Sequence, residues 1–250
     1  MSNLIDAVGF SLNSLLDFAE TTLAEKVLRR LLDNEAPLRP TTFGAYEPIT
    51  QSITPRDLGS MTALWLGAFP NGRPDTGTSE GGILLACPSG VGYQVSWQKG
   101  SAPALPFVGG DVPLALLRGS PSVLESFLCL VKDLALIVDA AYGDIRNMSF
   151  PGWDLPFDLF KRLPDVPWGS LYGPPYISMF GRECIVTAPF HRIDEVGPSH
   201  LWLQASPSVL VPVDEETRAR IRQHLGEEAF MSMGRWRYAS GRAPRFFSGG

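Results

Sequence analysis

Covalent catalysis requires a thiol or hydroxyl group beside a general base, and this chain offers few such pairs. It contains three cysteines and three histidines. Cys184 and His191 form a candidate pair, in a stretch that ends at His200. No catalytic-cysteine signature surrounds them. The main prediction is that the chain is not an enzyme, and the alternative is a small-molecule hydrolase or transferase with a site near Cys184–His200.

Metal binding requires clustered histidine, cysteine or carboxylate ligands. His191, Asp194, Glu195 and His200 are close in sequence, but their spacing differs from H-E-x-x-H and comparable zinc patterns. A phosphate cradle requires a glycine-rich turn between a strand and a helix, whereas Gly90-Val91-Gly92 lies between two predicted strands. We therefore expect no metal and no cofactor.

Residues 231–250 mix arginines with aromatic side chains and are predicted to be a basic-aromatic C-terminal extension. The arginines are Arg235, Arg237, Arg242 and Arg245, and the aromatic residues include Trp236, Tyr238, Phe246 and Phe247. This composition can bind single-stranded nucleic acid through charge and stacking. The net charge of −5 opposes that function, because nucleic-acid-binding domains usually present a basic face. The favoured interpretation is that the aromatic side chains pack back onto the domain, and no direct contact with nucleic acid is expected.

The segment from Met148 to Pro175 is rich in proline and is interpreted as a long loop. Long aromatic loops in compact domains are uncommon and often functional. Its aromatic residues include Trp153, Phe157, Phe160 and Trp168. The competing interpretation is that the aromatic residues belong to the core.

Length and composition are typical of a globular protein in a reducing compartment. The chain has 250 residues, of which 44% are hydrophobic, and residues 1–250 are interpreted as a single domain. Cys87, Cys129 and Cys184 are far apart in apolar runs, so we expect buried free thiols. The N-terminal stretch lacks the basic start of a secretory signal, and no run is long and apolar enough to span a membrane. A cytoplasmic location without membrane contact is therefore expected.

Helical spacing of apolar residues predicts several helices. Thr22 and Glu25 match a capping box at the start of the first helix, and Thr54-Pro55 is predicted to begin the second. The longest helix is expected from Ser120-Pro121 to Ala141 and is apolar around most of its circumference, which is typical of a core helix. A short helix is expected to end at Gly181, and the last to begin at Asp214 and end at Gly226.

Alternating apolar residues predict an antiparallel hairpin formed by Ile83–Cys87 and Val91–Trp97. Cys184–Ala188 and Leu201–Ala205 are also predicted to be strands. This order of helices and paired strands favours an α+β fold in which an antiparallel sheet packs against a long buried central helix. A helix followed by two strands recurs in each half of the chain, which either an internal duplication into two similar α/β halves or coincidence would explain.

Three short motifs resemble a known family. They are Leu171-Tyr-Gly-Pro-Pro-Tyr176 within the block 168–189, Phe43-Gly-Ala-Tyr-Glu-Pro48, and Tyr142-Gly-Asp144 after the long helix. Together they resemble the immunity protein 52 family of bacterial polymorphic toxin systems. The chain is also similar to the immunity proteins paired with type VI secretion effectors of the restriction-endonuclease-like toxin class.

The resemblance implies a cytoplasmic, non-catalytic α+β protein that protects its producer. Its partner would be a cognate toxin effector, expected to be a restriction-endonuclease-like nuclease. The family implies no catalytic residues, no cofactor and no metal. Inhibition would proceed by protein–protein contact, either covering the active site of the toxin or blocking its assembly. In such a contact carboxylates would complement a cationic surface and a few aromatic side chains would supply the affinity. The candidate partner-binding residues are Trp153, Asp154, Phe157, Asp158, Asp165 and Trp168 in the proline-rich segment.

Overall fold

The structure, a computed structural model, describes residues 4–68, 79–99, 105–151, 158–231 and 241–246. The chain divides into two compact units. The N-terminal unit is Gly9–Ala140, and the C-terminal unit combines Met1–Val8 with Ala141–Gly250. Each unit contains strands, helices and buried apolar side chains.

The N-terminal unit is built on an antiparallel set of strands. They are β1 (Ala7–Ser14, whose first two residues belong to the C-terminal unit), β2 (Thr42–Gly44), β3 (Gln51–Ser52), β4 (Ser79–Ala86), β5 (Gly92–Lys99) and β6 (Phe107–Pro113). Their order is β3-β2-β4-β5-β6-β1, with antiparallel pairing from β3 through β6. The predicted β4–β5 hairpin is confirmed, and Gly90 in its turn has the positive φ of 86° that glycine tolerates.

Among its described residues this unit has the helices α1 (Thr21–Leu32), α2 (Leu58–Trp65), α3 (Leu114–Gly119) and α4 (Pro121–Ile137). The long predicted helix is α4, which is buried along one face. Phe127 on that face meets Phe10 of β1 edge to face, with ring centroids 5.6 Å apart. Arg30 of α1 forms an ion pair of 2.8 Å with Asp133 of α4. The helix ends before Ala141, because Asp139 takes a positive φ of 44° that helical backbone does not allow.

Two predicted helix starts are wrong by a few residues. Glu20 is the N-cap residue of α1 and makes no side-chain capping bond, so Thr22 and Glu25 do not form a capping box. Helix α2 begins at Leu58 rather than at Pro55. The preceding residues form a turn in which the backbone N–H of Thr54 donates to the carboxylate of Asp57 at 2.6 Å.

In the described part of the C-terminal unit the strands follow the order β7-β8-β10-β9, all antiparallel neighbours. They are β7 (Ala140–Asn147), β8 (Gly169–Tyr172), β9 (Arg192–Val196) and β10 (His200–Gln204). Its helices are α5 (Pro174–Phe180), α6 (Arg182–Val186) and α7 (Glu215–Leu225), followed by a 3-10 helix at Glu227–Ala229.

The predictions for this unit are confirmed in part. Helix α5 ends at Gly181, which has a positive φ of 85°, and the strand predicted at Leu201–Ala205 is β10. The strand predicted at Cys184–Ala188 is wrong, because Cys184 lies inside helix α6. The proline-rich segment is not entirely loop, because it contains the buried strand β8. The α+β fold with an antiparallel sheet packed against helices is confirmed.

Candidate partner-binding cleft

The Tyr142 and Leu171–Tyr176 motifs meet in the C-terminal unit. Strands β7 and β8 pair Tyr142 with Tyr172, and the two ring centroids lie 6.2 Å apart. The ring of Tyr176 lies 5.6 Å from that of Tyr142, and the N–H of Gly173 donates to the carbonyl of Ala141 at 3.0 Å. Burial raises the pKa of all three tyrosines, so they stay neutral at physiological pH. These motifs therefore build core structure rather than a reactive site.

Asp144, the last residue of the Tyr142–Asp144 motif, forms an ion pair with an arginine. It is only 6% exposed, and its carboxylate lies 3.0 Å from Nη2 of Arg146, two residues further along β7. Burial by itself lowers the pKa of Arg146, but the charge of Asp144 and the neighbouring Tyr142 outweigh this and raise it. Arg146 is therefore a permanent, half-buried cation, and strand β7 carries both it and Asp144.

Arg146 lies at the wall of a cleft of about 90 Å³. Segments from β7, the stretch before β8 and the stretch before α7 surround it. The lining residues are Arg146, Asn147, Phe150, Pro151, Asp165, Val166, Pro167, Trp168, Val209, Val211, Pro212, Val213 and Arg218. The cleft therefore combines two arginines and one aspartate with proline, valine and aromatic walls.

Asp165 is the centre of an ion-pair network at this cleft. Its carboxylate lies 2.6 Å from Nη1 of Arg222 and 3.4 Å from Nη1 of Arg218 on helix α7. Glu215 pairs with Arg222 as well. Burial lowers the pKa of Arg222, whereas bonds to Glu215 and Asp165 raise it, and the net shift is upward. The network anchors α7 against the segment that leads into β8.

An apolar loop forms one rim of the cleft. Asn147 Nδ2 donates to the carbonyl of Val209 at 2.9 Å, and Arg218 Nη2 donates to the carbonyl of Val213 at 2.7 Å. These bonds hold both ends of the loop. Between them Val211 is 59% exposed and Leu210 is 36% exposed. A fixed loop that presents apolar side chains beside charged groups suits contact with a protein.

The structure brings two of the six predicted partner-binding residues to this cleft, Asp165 and Trp168. Trp168 is 5% exposed, and its Nε1 donates to the carbonyl of Ser206 at 3.0 Å, so it supports the cleft from within the core. Asp158 is half-buried and pairs with Lys161 at 2.9 Å, without lining the cleft. Trp153, Asp154 and Phe157 lie outside the described residues.

Sequence reasoning missed the other side of the cleft. Arg218 and Arg222 are 53 and 57 residues from Asp165 in the chain, so no local pattern joins them. Val211 was missed as well, although the run Val209-Leu210-Val211 in a segment with several prolines and serines was the signal that could have indicated an exposed apolar loop.

At the alternative site near Cys184–His200, Cys184 lies beside His224 of helix α7. Cys184 Sγ lies 3.8 Å from the backbone carbonyl of His224, and the Nε2 atom of His224 lies 2.9 Å from the carbonyl of Cys184. The ring of His224 therefore contacts the backbone carbonyl of Cys184. His200 is buried, with Nδ1 3.1 Å from the hydroxyl of Ser199, and His191 is exposed.

One serine pattern was absent from the predictions above. Residues 77–81 read Gly-Thr-Ser-Glu-Gly, which matches the G-x-S-x-G pattern of hydrolases. That pattern is catalytic on a sharp turn from a strand into a helix. Here Ser79 begins strand β4, and residues 77 and 78 lie outside the described part of the chain. The pattern therefore lacks the strand-to-helix context that the chemistry requires.

Within ranges 4–68, 79–99, 105–151, 158–231 and 241–246, no three histidine, cysteine or acidic side chains are grouped so as to hold a metal ion. Across those same ranges, no helix has the length and apolar character needed to cross a membrane.

Comparisons with known proteins locate the fold but not a family. No protein-family model matches the sequence, and no curated protein matches it. Among solved structures, the chain is similar to the Pseudomonas aeruginosa T6SS protein PA0821, with a TM-score of 0.60 and 15% sequence identity. The similarity covers 89% of this chain and 77% of that chain. At this identity the likeness is one of fold.

Proposed function

We propose that this chain is a cytoplasmic immunity protein that binds and neutralises a cognate toxin effector of a type VI secretion system. It would act without catalysing a reaction. The observation that carries the proposal is the fold likeness to a T6SS protein across 89% of this chain. The resemblance of the 142–144 and 171–176 motifs to toxin-immunity proteins supplies the specific role.

The cleft of the C-terminal unit is the proposed toxin-binding surface. Protein interfaces obtain most of their affinity from a few apolar or aromatic groups, while charged groups set orientation and exclude wrong partners. Val211 and Leu210 supply exposed apolar area, and Arg146, Arg218 and Asp165 lie beside them. Asp165 already has two arginine partners. Its role would be to position the side chains of those arginines rather than to contact cationic groups of the toxin by itself.

The experiment begins with the tagged chain purified from its producing strain. A single stoichiometric partner with a nuclease-like domain, and protection of cells that express that partner, are the expected results. Turnover of a small substrate by the isolated chain, with no stoichiometric partner, would contradict the immunity function and favour the hydrolase or transferase.

A matched pair of variants then tests the surface. Val211→Asp places a charge on the rim of the cleft and should weaken the complex by at least about tenfold, because that is roughly 1.4 kcal/mol of lost apolar contact. Val186→Asp, at a valine of helix α6 that is 48% exposed and does not line the cleft, is the control. Equal loss of protection in both variants would mean that the toxin-binding surface is not the cleft.

A further inference from the structure

The six described residues nearest the C-terminus, Gly241 to Phe246, lie on the C-terminal unit in the manner of a bound peptide. They contact three separate stretches of that unit. These are residues 158–162, helix α5, and the segment from the 3-10 helix to Phe230. The preceding residues 232–240 lie outside the described part of the chain.

Arg242 is the polar anchor of this segment. Its backbone N–H donates to the carbonyl of Glu228 at 3.0 Å, and its Nη1 lies 3.5 Å from the carboxylate of the same residue. Its Nη2 donates to the carbonyl of Met179 at 2.6 Å. Met179 is in the last turn of α5, where backbone carbonyls lack helical partners and a cation is favourable. The guanidinium also lies 5.7 Å from the ring centroid of Phe180, within the range of a cation–π contact.

Phe246 is the apolar anchor. Its ring meets Phe160 edge to face at 5.3 Å and Tyr176 edge to face at 5.9 Å. This is the geometry that aromatic pairs prefer, and each such pair contributes beyond its buried area. Tyr176 of α5 packs against Tyr142 of β7 and Tyr172 of β8 in a buried cluster. Phe246 extends that cluster toward the surface.

Gly241 fixes the start of the segment by its size. A Cβ atom at this position would lie 2.1 Å from the carbonyl oxygen of Lys161 and 2.3 Å from Cγ of Arg162. Arg162 is buried, and the carbonyl is backbone, so neither can move aside cheaply. The contacts therefore select three features with fixed spacing: a glycine, an arginine directly after it, and a phenylalanine four residues later.

We infer that the surface formed by Phe160, Lys161, Tyr176, Met179, Phe180 and Glu228 is a peptide-binding groove, here called the tail groove, whose ligand is the chain's own Gly241–Phe246. The groove is separate from the toxin-binding cleft proposed above and does not depend on it. Its occupant is held by side-chain recognition, so the same sequence supplied as a free peptide binds the groove when the chain's own segment cannot.

The test uses the full-length chain with Arg242→Ala and Phe246→Ala together, which removes both anchors and leaves the groove intact. A fluorescently labelled peptide of residues 241–246 should bind this variant with a Kd below about 1 mM, because a segment that stays docked must compete with a tether concentration in the millimolar range. Unsubstituted full-length chain should bind the peptide at least about tenfold more weakly, since its own segment fills the groove. Anisotropy titrations measure both.

Matched peptides give the specificity. Arg242→Ala in the peptide should reduce affinity at least about tenfold, whereas Arg245→Ala, which removes the same charge from an exposed side chain, should leave it unchanged. Gly241→Ala in the peptide should abolish binding. Equal losses from the two arginine substitutions, or no binding to the double variant up to 1 mM, would overturn the inference. If circular dichroism shows that the double variant is unfolded, full-length chain with Gly241→Ala takes its place in the same titrations.

Discussion

The ion pairs of this chain differ in how much they contribute to stability, because some are buried and others are exposed. Asp144 is buried and Arg146 is half-buried beside it, so the positive charge of Arg146 compensates the desolvation of the carboxylate. Glu25 and Arg29 in the N-terminal unit form an exposed pair of 3.3 Å one helical turn apart. Exposed pairs contribute little to stability, because water screens them and ordering the side chains has an entropic cost.

Asp144→Asn keeps the shape of the side chain but removes the negative charge that lies 3.0 Å from Nη2 of Arg146. We expect this variant to lose about 1.5–3 kcal/mol of unfolding free energy, as is typical when a hydrogen bond between charged groups is removed. Urea denaturation measures it. The control Glu25→Gln should cost less than about 1 kcal/mol. Similar losses in the two variants would mean that Arg146 finds solvent or another anion.

The three cysteines show how far the burial of a single side chain can be predicted from its neighbours in the sequence. All three are free, but only Cys87 is buried, while Cys184 is partly exposed and Cys129 is exposed. The expectation of buried thiols is therefore correct for Cys87 and wrong for Cys129. Burial raises the pKa of Cys87 to about 12. An apolar neighbourhood in sequence does not separate the two faces of helix α4, and Cys129 falls on the exposed one.

Helices and strands were predicted correctly where a turn or a capping residue within the local sequence sets their ends. The turn at Pro88-Ser89-Gly90 fixes the β4–β5 hairpin, and Asp214 caps α7 by accepting a bond from the N–H of Thr217 at 2.7 Å. Strand β8 was missed because it is short, buried on both faces and preceded by several prolines. Helix α6 was predicted as a strand because Ile185 and Val186 favour strands, but tertiary packing of Ile185 outweighs that propensity.

The capping bond of α7 predicts a pH dependence. The backbone N–H and hydroxyl of Thr217 hold the pKa of Asp214 below its ordinary value. Such a carboxylate stabilises the folded state above its unfolded pKa, and this contribution is lost as pH falls through the folded pKa. Asp214→Ala should therefore lower Tm at pH 7, and the difference from the unsubstituted chain should shrink below about pH 4. Asp214→Ser, which keeps a capping acceptor, should recover most of the Tm at pH 7 in differential scanning calorimetry. A difference that is constant with pH would assign the effect to something other than the carboxylate.

Strand β8 depends on a glycine. A Cβ atom at Gly169 would lie 2.3 Å from the ring of Trp202, which crosses that position from β10. Gly169→Ala should therefore destabilise the protein by about 1–3 kcal/mol, the usual cost of overpacking. Gly59→Ala in α2 is the matched control, because nothing lies within 4 Å of the added atom. It should raise stability by about 0.5–1 kcal/mol, since alanine favours a helix. Thermal melts of the two variants should move in opposite directions, and movement in the same direction would contradict the packing argument.

For the molecule as a whole, the predicted fold class is confirmed, whereas the candidate site was predicted only in part. Patterning within single elements is enough to indicate an α+β fold with antiparallel strands. The cleft depends instead on contacts between distant segments. Asp165 meets Arg222, and Asn147 meets Val209 62 residues away. No single sequence records such pairings, because each segment taken alone reads as an ordinary loop or helix.

Net charge gives a prediction that belongs to the whole molecule and to its proposed partner. A nuclease must present a cationic surface to its polyanionic substrate, and this chain carries a net charge of −5. The association rate constant of the complex should therefore fall about tenfold between about 0.05 and 0.5 M salt, while the dissociation rate changes much less. Stopped-flow mixing with the captured toxin measures both. If the association rate does not respond to salt, charge complementarity no longer supports a nuclease as the partner. The apolar rim of the cleft would then remain the proposed binding surface. A rate that rises with salt would mean that the toxin presents an acidic surface, and inhibition would then depend on Arg146 and Arg218 rather than on carboxylates.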